Sequence, residues 1–309
     1  MPAAKIGVFD EAFVGRVHVH KPVLHLWTPI FPLLSAFFGI LAFVAGYIIS
    51  VANDHQEAWF SFISDGGSLA PESCIFGILL NFSSFFWFLT CFARHYQLIQ
   101  YVHFHRGPQT KFRAVVWFML VVGMISGVGT AVVANFQLST VPIAHGLGAT
   151  IAFLCGMIYV WCYVVVSVVM RPKFSPKALT VFRILLALIV TASLTLHEMA
   201  LYERPFVRKL SDGTKPKAPE FPKDTGIFRY KPDHYEYLNH IVAALAEWVL
   251  AVGFFVIIAS LCYELSTFEI NTLTKDQQRY LVEENRRPVL VSIKHSELLN
   301  GNLETQKRD

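Results

Sequence analysis

The stretch Phe62–Gly77, Phe-Ile-Ser-Asp-Gly-Gly-Ser-Leu-Ala-Pro-Glu-Ser-Cys-Ile-Phe-Gly, stands between two long apolar runs and decides how the chain is to be read. From Ala52 to Ser73 the chain carries Asp54, Glu57, Asp65 and Glu72 but no Lys or Arg. Bases collect in the cytoplasmic loops of membrane proteins, so a short loop without them belongs outside and the runs that flank it are membrane spans. The local chemistry agrees. Asp65-Gly66-Gly67 predicts a turn in which the glycines take positive φ, and Pro71 with Glu72 fits the first turn of a helix. Glu72 then sits at the positive end of the helix dipole. Pro71, Glu72 and Ser73 read either as a plain helix cap or, with Asp65, as part of a ligand-binding loop.

The composition extends this reading to the whole chain. Apolar residues make up 54% of the 309 and charged residues only 16%, a balance unlike that of a soluble domain. Runs of about 18 or more apolar residues predict spans, and six occur: Phe31–Val51, Cys74–Phe92, Ala114–Ala134, Ile143–Met170, Ile184–Leu201 and His240–Tyr263. The expected fold is an all-α integral membrane protein, a six-transmembrane helix bundle. The fifth run is the weakest, since its apolar core ends at Leu196, and a re-entrant segment there would move the tail to the other side. Lys and Arg number three in residues 1–28, four from Arg94 to Arg113, four from Arg171 to Arg183 and seven after Tyr263. Loops 52–73 and 135–142 hold none, and in loop 202–238 eight bases are offset by six acids. Both termini are therefore expected in the cytoplasm. The division is a cytoplasmic segment 1–28, a transmembrane domain 29–265 with those three outer loops, and a polar cytoplasmic tail 266–309. The first span serves as its own insertion signal, because a long mixed segment precedes it.

Smaller features qualify the picture. Ser35, Gly39, Ala42 and Gly46 recur at three- and four-residue steps, as do Gly123 and Gly127, giving small-residue faces on which helices approach closely in lipid. Asn81 falls inside the second span, where an amide needs a partner on another helix. All five cysteines lie in or at the edges of spans, and no metal-binding Cys pair occurs. His18, His20 and His25 are too loosely spaced to point to a metal site. Arg94, Arg106, Lys111 and Arg113 make the loop after the second span basic. They serve either as topology charges or as contacts to anionic phospholipid, worth about 1 kcal/mol per base. Prolines 205, 216, 219, 222 and 232 predict an irregular third outer loop. Thr274 with Gln277 suggests a capping box in the tail.

One constellation carries chemistry. With alternating topology, His145, His197, Glu198, His240 and Glu247 all fall in the outer half of the membrane, on the last three spans. Glu247 shares a helix face with His240, about 10 Å deeper at 1.5 Å per residue. Ionisable groups at that depth are costly and normally face a partner or a wet cavity. Three readings stand: a zinc site activating water on a lipid ester or amide, a ligand or proton site, and ordinary interhelical hydrogen bonds. No His-x-x-x-His or His-Glu-x-x-His spacing ties two ligands to one helix. The chain shows no motif for a nucleotide, a phosphate or a protease on the cytoplasmic side, so no cofactor and no nucleic acid is expected.

Taken together, Phe-Ile-Ser-Asp-Gly-Gly-x-x-x-Pro-Glu-Ser-x-Ile-Phe-Gly, His145 with Gly148-Ala149 and Ala152-Phe153, and His240 with Glu247-Trp248 resemble the damage-regulated autophagy modulator (DRAM) family. That family lies in a wider group with a yeast regulator of phosphatidylinositol 4-kinase and a GPI-anchor remodelling protein. The resemblance covers about residues 25–265. It implies a six-helix protein of lysosomal, endosomal or plasma membranes that promotes autophagy or organises phosphoinositide signalling and lipid asymmetry. It carries no agreed catalytic residues, and loop 202–238 is longer than the family pattern. The expectation is a non-enzymatic regulator, a scaffold or lipid sensor. It acts on the bilayer, on anionic phospholipids through its basic loop and on a cytoplasmic protein through its tail. Asp65, Glu72, Asn81, His145, His197, Glu198, His240 and Glu247 are the ligand candidates. The alternative is a metal-dependent lipid hydrolase built on His145, His197, His240 and Glu247, and a channel-type subunit comes third, since no row of pore-lining charges is present.

Overall fold

The computed structural model describes residues 24–107, 110–170, 173–219, 230–266 and 269–272. Among the described residues six helices are long and apolar enough to cross a membrane: α1 (Ile30–Ala52), α2 (Glu72–Arg106), α3 (Lys111–Asn135), α4 (Pro142–Val169), α5 (Lys177–Tyr202) and α6 (Tyr237–Ser260), the last followed by a single turn α7 (Cys262–Leu265). Each helix packs on the next in sequence, and α6 returns to α1 to close a ring. The chain is thus an all-α membrane bundle. A separate unit contains an antiparallel strand pair, β1 (Leu24–Trp27) with β2 (Glu269–Thr272), in register Leu24 to Thr272 and Trp27 to Glu269. Four residues are too few for an alternation signal, and the sequence gives no warning of this pair.

Two helices differ from expectation. The second does not stop at Phe92 but continues as helix through Arg94 and His95 to Arg106. Nothing before Gly107 breaks it, and Gly107 ends it at φ 84°. At 35 residues it is about 50 Å long, well beyond the ~30 Å hydrocarbon layer. The fifth is continuous over 26 residues, so it is not re-entrant: His197 and Glu198 simply extend it.

The small-residue faces meet aromatic rings inside the bundle. A Cβ on Gly39 would fall 2.1 Å from the Phe255 ring, and one on Gly156 would fall 2.2 Å from that of Phe254. The adjacent pair Phe254-Phe255 therefore wedges α6 against α4 and α1 at once. Ser35 and Ser83 exchange hydroxyl-to-carbonyl bonds of 3.0 and 2.7 Å between α1 and α2. Asn81 meets its expected partner in Asn135 of α3, through two amide–amide bonds of 3.2 and 3.0 Å. In the third loop, the described residues 203–219 and 230–236 form no regular element, yet Arg204 ties them down by bonding the Glu236 carboxylate and the Pro216 carbonyl. The Thr274 capping box and the tail from residue 273 on lie outside the described residues.

Candidate functional site

The Asp65 stretch folds down onto α6. His240 bonds the Phe60 backbone, Trp248 Nε1 donates to the Ser61 carbonyl at 3.0 Å, and Glu247 Oε2 accepts from the Ile63 amide at 2.8 Å. Glu247 also accepts from the Ser64 amide and hydroxyl. These contacts lie about two turns apart on one helix, so α6 acts as a rail for five residues of loop. Ser64–Gly67 form one 3₁₀ turn there. This corrects the expected use of the glycines, since neither Gly66 nor Gly67 has positive φ. They are needed instead for contact. A Cβ on Gly66 would fall 2.8 Å from the Gly46 carbonyl carbon, and one on Gly67 would fall 2.8 Å from the Phe76 ring. A second outer segment joins in, with Ser139 Oγ donating to the Ser68 carbonyl at 2.6 Å.

Beneath this roof lies a cavity of about 80 Å³ reached by α1, α2, α3, α4 and α6. By that measure a water needs about 10–15 Å³, so the space holds several waters or a stretch of alkyl chain. Its walls are largely carbon, from residues such as Phe43, Phe76, Leu80, Phe254 and Ile258. Glu247 and His145, 9% and 5% exposed, are the titratable groups on its lining.

The expected constellation is therefore divided. His145 donates from Nδ1 to the Phe136 carbonyl at 2.7 Å, and His197 from Nδ1 to the Ala243 carbonyl at 3.0 Å. Phe62 stands between the rings of His197 and His240, at 6.0 and 4.9 Å and nearly perpendicular to both. Glu198 lies half-buried beside His197. Among the described residues no three His, Cys, Asp or Glu come together as a metal-binding group. The hydrolase alternative thus finds its four residues each engaged separately with backbone. Glu72, 0% exposed, is occupied elsewhere, by His55 at 2.5 Å and Asn53 at 3.3 Å. Of the four basic candidates, Arg106 and Lys111 are exposed and Arg113 half-buried, but Arg94 is 1% exposed. Its guanidinium stacks over Tyr163 at 5.0 Å and Phe174 at 5.7 Å, so it is not a surface contact.

Asp65 gives the site a pH dependence. Burial, and then the Glu247 carboxylate beside it, push its pKa up to about 7 from 3.8, against the lowering effect of the Phe62 amide. The folded loop binds a proton that the unfolded chain releases near pH 4. Stability therefore falls as pH rises from about 4 to about 7, by an amount on the order of a few kcal/mol. Wild-type protein is expected to melt at higher temperature in mildly acidic than in neutral buffer, and Asp65→Asn to flatten that slope. An equal slope in both would remove Asp65 as its source.

Residues 27–268 match the family model described as Frag1/DRAM/Sfk1/Cwh43P N-terminal domain. Human DNA damage-regulated autophagy modulator protein 1 is 29% identical over 226 residues, covering 72% of this chain and 84% of that protein. The human modulator protein 2 is 30% identical over 217 residues, 69% of this chain and 75% of that protein. Mouse modulator of macroautophagy TMEM150B is 34% identical over 134 residues, 43% of this chain and 52% of that protein. No solved structure matches the chain. With the family model spanning all six helices, the chain belongs to the Frag1/DRAM/Sfk1 family of integral membrane proteins.

Proposed function

We propose that the protein is a multi-pass regulator of autophagy that acts without catalysis, in lysosomal or endosomal membranes, by sensing a lipid-like ligand in the roofed cavity. The names of its relatives support the process. The observation that carries the mechanism is Glu247, which lines the cavity and holds the loop above it through Ile63 and Ser64. A ligand that engages Glu247 from below competes with or reinforces those bonds, so occupancy reaches the outer surface as a change in the loop. The base-free outer loop supports cytoplasmic termini, and the β1–β2 pair keeps residues 24–27 and 269–272 on the same side as each other. In this arrangement Arg106, Lys111 and Arg113 face anionic phospholipid, and tail 266–309 recruits a protein partner.

Ala149→Phe, which fills the cavity from α4, tests the reading in cells that lack the endogenous protein. Autophagic flux is expected to fall by at least about half at unchanged protein abundance, since a bulky side chain excludes the ligand while keeping the bundle. Flux equal to wild type in this variant would overturn the sensor reading.

A further inference from the structure

The cavity lining has an unusual balance of hydrogen-bonding groups. Ser35, Ser83, Ser84, Ser126 and Thr130 all line it, and every one of these hydroxyls gives its proton to a backbone carbonyl: Ser83, Ser35, Gly127, Ala152 and Ser126 respectively. Trp87 Nε1, another lining donor, is given to the Gly123 carbonyl at 2.9 Å. The Ser64 hydroxyl is given to Glu247. At His145 the Phe136 carbonyl fixes the proton on Nδ1, which leaves Nε2 of the neutral ring as an acceptor. What remains toward the space is lone pairs, one carboxylate and carbon. No Lys or Arg lines it, and Asp65 adds a second acid behind the roof, close enough to feel Glu247.

Such a lining selects its occupant. We infer that the cavity binds a single-chain amphiphile whose head is a protonated primary amine, a long-chain base, with the ammonium on Glu247 and the chain among Phe43, Phe76, Leu80 and Phe254. A carboxylate or phosphate head finds no donor among the lining side chains and meets the Glu247 carboxylate. A neutral alcohol satisfies one acceptor and leaves the carboxylate without a counter-charge. Ca²⁺ or Mg²⁺ needs six or more oxygens, whereas these walls are mostly carbon, and among the described residues no three His, Cys, Asp or Glu gather to hold a zinc ion. An ammonium offers three donors and the missing charge, and its chain covers apolar wall that would otherwise face water.

This inference rests on the lipid-sensor reading above, and the experiment separates the two. Oleylamine, oleyl alcohol and oleic acid share one tail. Each is incubated with the purified full-length protein in detergent at one pH at which the amine is protonated and the acid ionised, and the retained ligand is measured by native mass spectrometry. Wild type is expected to retain the amine at least tenfold over the alcohol and the acid, and Glu247→Gln to lose about 10- to 100-fold in amine affinity, the worth of a hydrogen bond to a charged group. Equal retention of all three, or preference for the acid or the alcohol, overturns the amine assignment and leaves a cavity that takes tails. Retention of none overturns both readings. The ranking is made in wild type, so it stands even if Glu247→Gln fails to fold.

Discussion

Glu264→Gln is expected to cost about 3–5 kcal/mol of stability, and more than Arg183→Met, which removes the other half of the same ion pair. Arg183 and Glu264 are each 1% exposed, at the far end of the bundle from the Asp65 loop. Two parallel bonds of 2.6 and 2.9 Å join them, and the remaining guanidinium donors reach Tyr163 and Ser260. An isolated pair would suffer about equally from the loss of either partner. Here the pair is not isolated. The Arg94 guanidinium lies over the Tyr163 ring at 5.0 Å and that of Arg183 at 5.1 Å, and Gln97 links them by accepting from Arg94 and donating to the Glu264 carbonyl at 2.5 Å. Among the described residues the cluster holds two cations and one anion. Removing Arg183 leaves Arg94 and Glu264, which balance; neutralising Glu264 leaves two buried cations around one ring. Heating of detergent-solubilised protein followed by size-exclusion chromatography should rank wild type first, Arg183→Met second and Glu264→Gln last. The reverse order would show that Arg94 is not part of the same electrostatic unit.

That cluster also marks where sequence reading stops. Length, run spacing and the distribution of bases were enough for six spans, because hydrocarbon thickness and backbone hydrogen bonding leave a chain few choices. The contact between the Asp65 stretch and the His240–Trp248 turns joins residues that the resemblance had already picked out, yet their meeting depends on helix packing that no local pattern encodes. Arg94 and Arg183 look in the sequence like two more bases at span ends. Their burial follows from Tyr163, Phe174 and Glu264, up to 170 residues away, and the closest available signal was Glu264, an acid set directly after an apolar span. Gly66 and Gly67 show a different limit. A glycine pair beside an Asp signals a special backbone, but not whether the need is for positive φ or for the missing Cβ, and only the neighbouring helix decides.

Gly66→Ala is the second large effect expected, and it tests that distinction. The new methyl group would fall 2.8 Å from the Gly46 carbonyl carbon and 2.9 Å from the Tyr47 nitrogen. Both are backbone atoms inside α1, which cannot yield as a side chain can. Overpacking of this kind costs about 1–3 kcal/mol and occasionally more, and here the loop alone is free to move. It should lift from α1 and drag the Ile63 and Ser64 amides off Glu247. Hydrogen exchange over residues 60–66 is expected to rise at least tenfold, with a lowered melting temperature. The methyl group of Gly67→Ala has the Phe76 ring as its nearest neighbour, at 2.8 Å, and a ring can tilt, so its effect should be smaller. Gly146→Ala provides the contrast. It lies in the first turns of α4 with nothing within 4 Å of its added Cβ, and replacing a helical glycine by alanine stabilises by roughly 0.5–1 kcal/mol. An order of Gly66, then Gly67, then a stabilised Gly146 variant follows from close approach alone. Were Gly67→Ala the worst of the three, the seat of the loop would lie on α2, and the cavity roof would be set by Phe76 and not by α1.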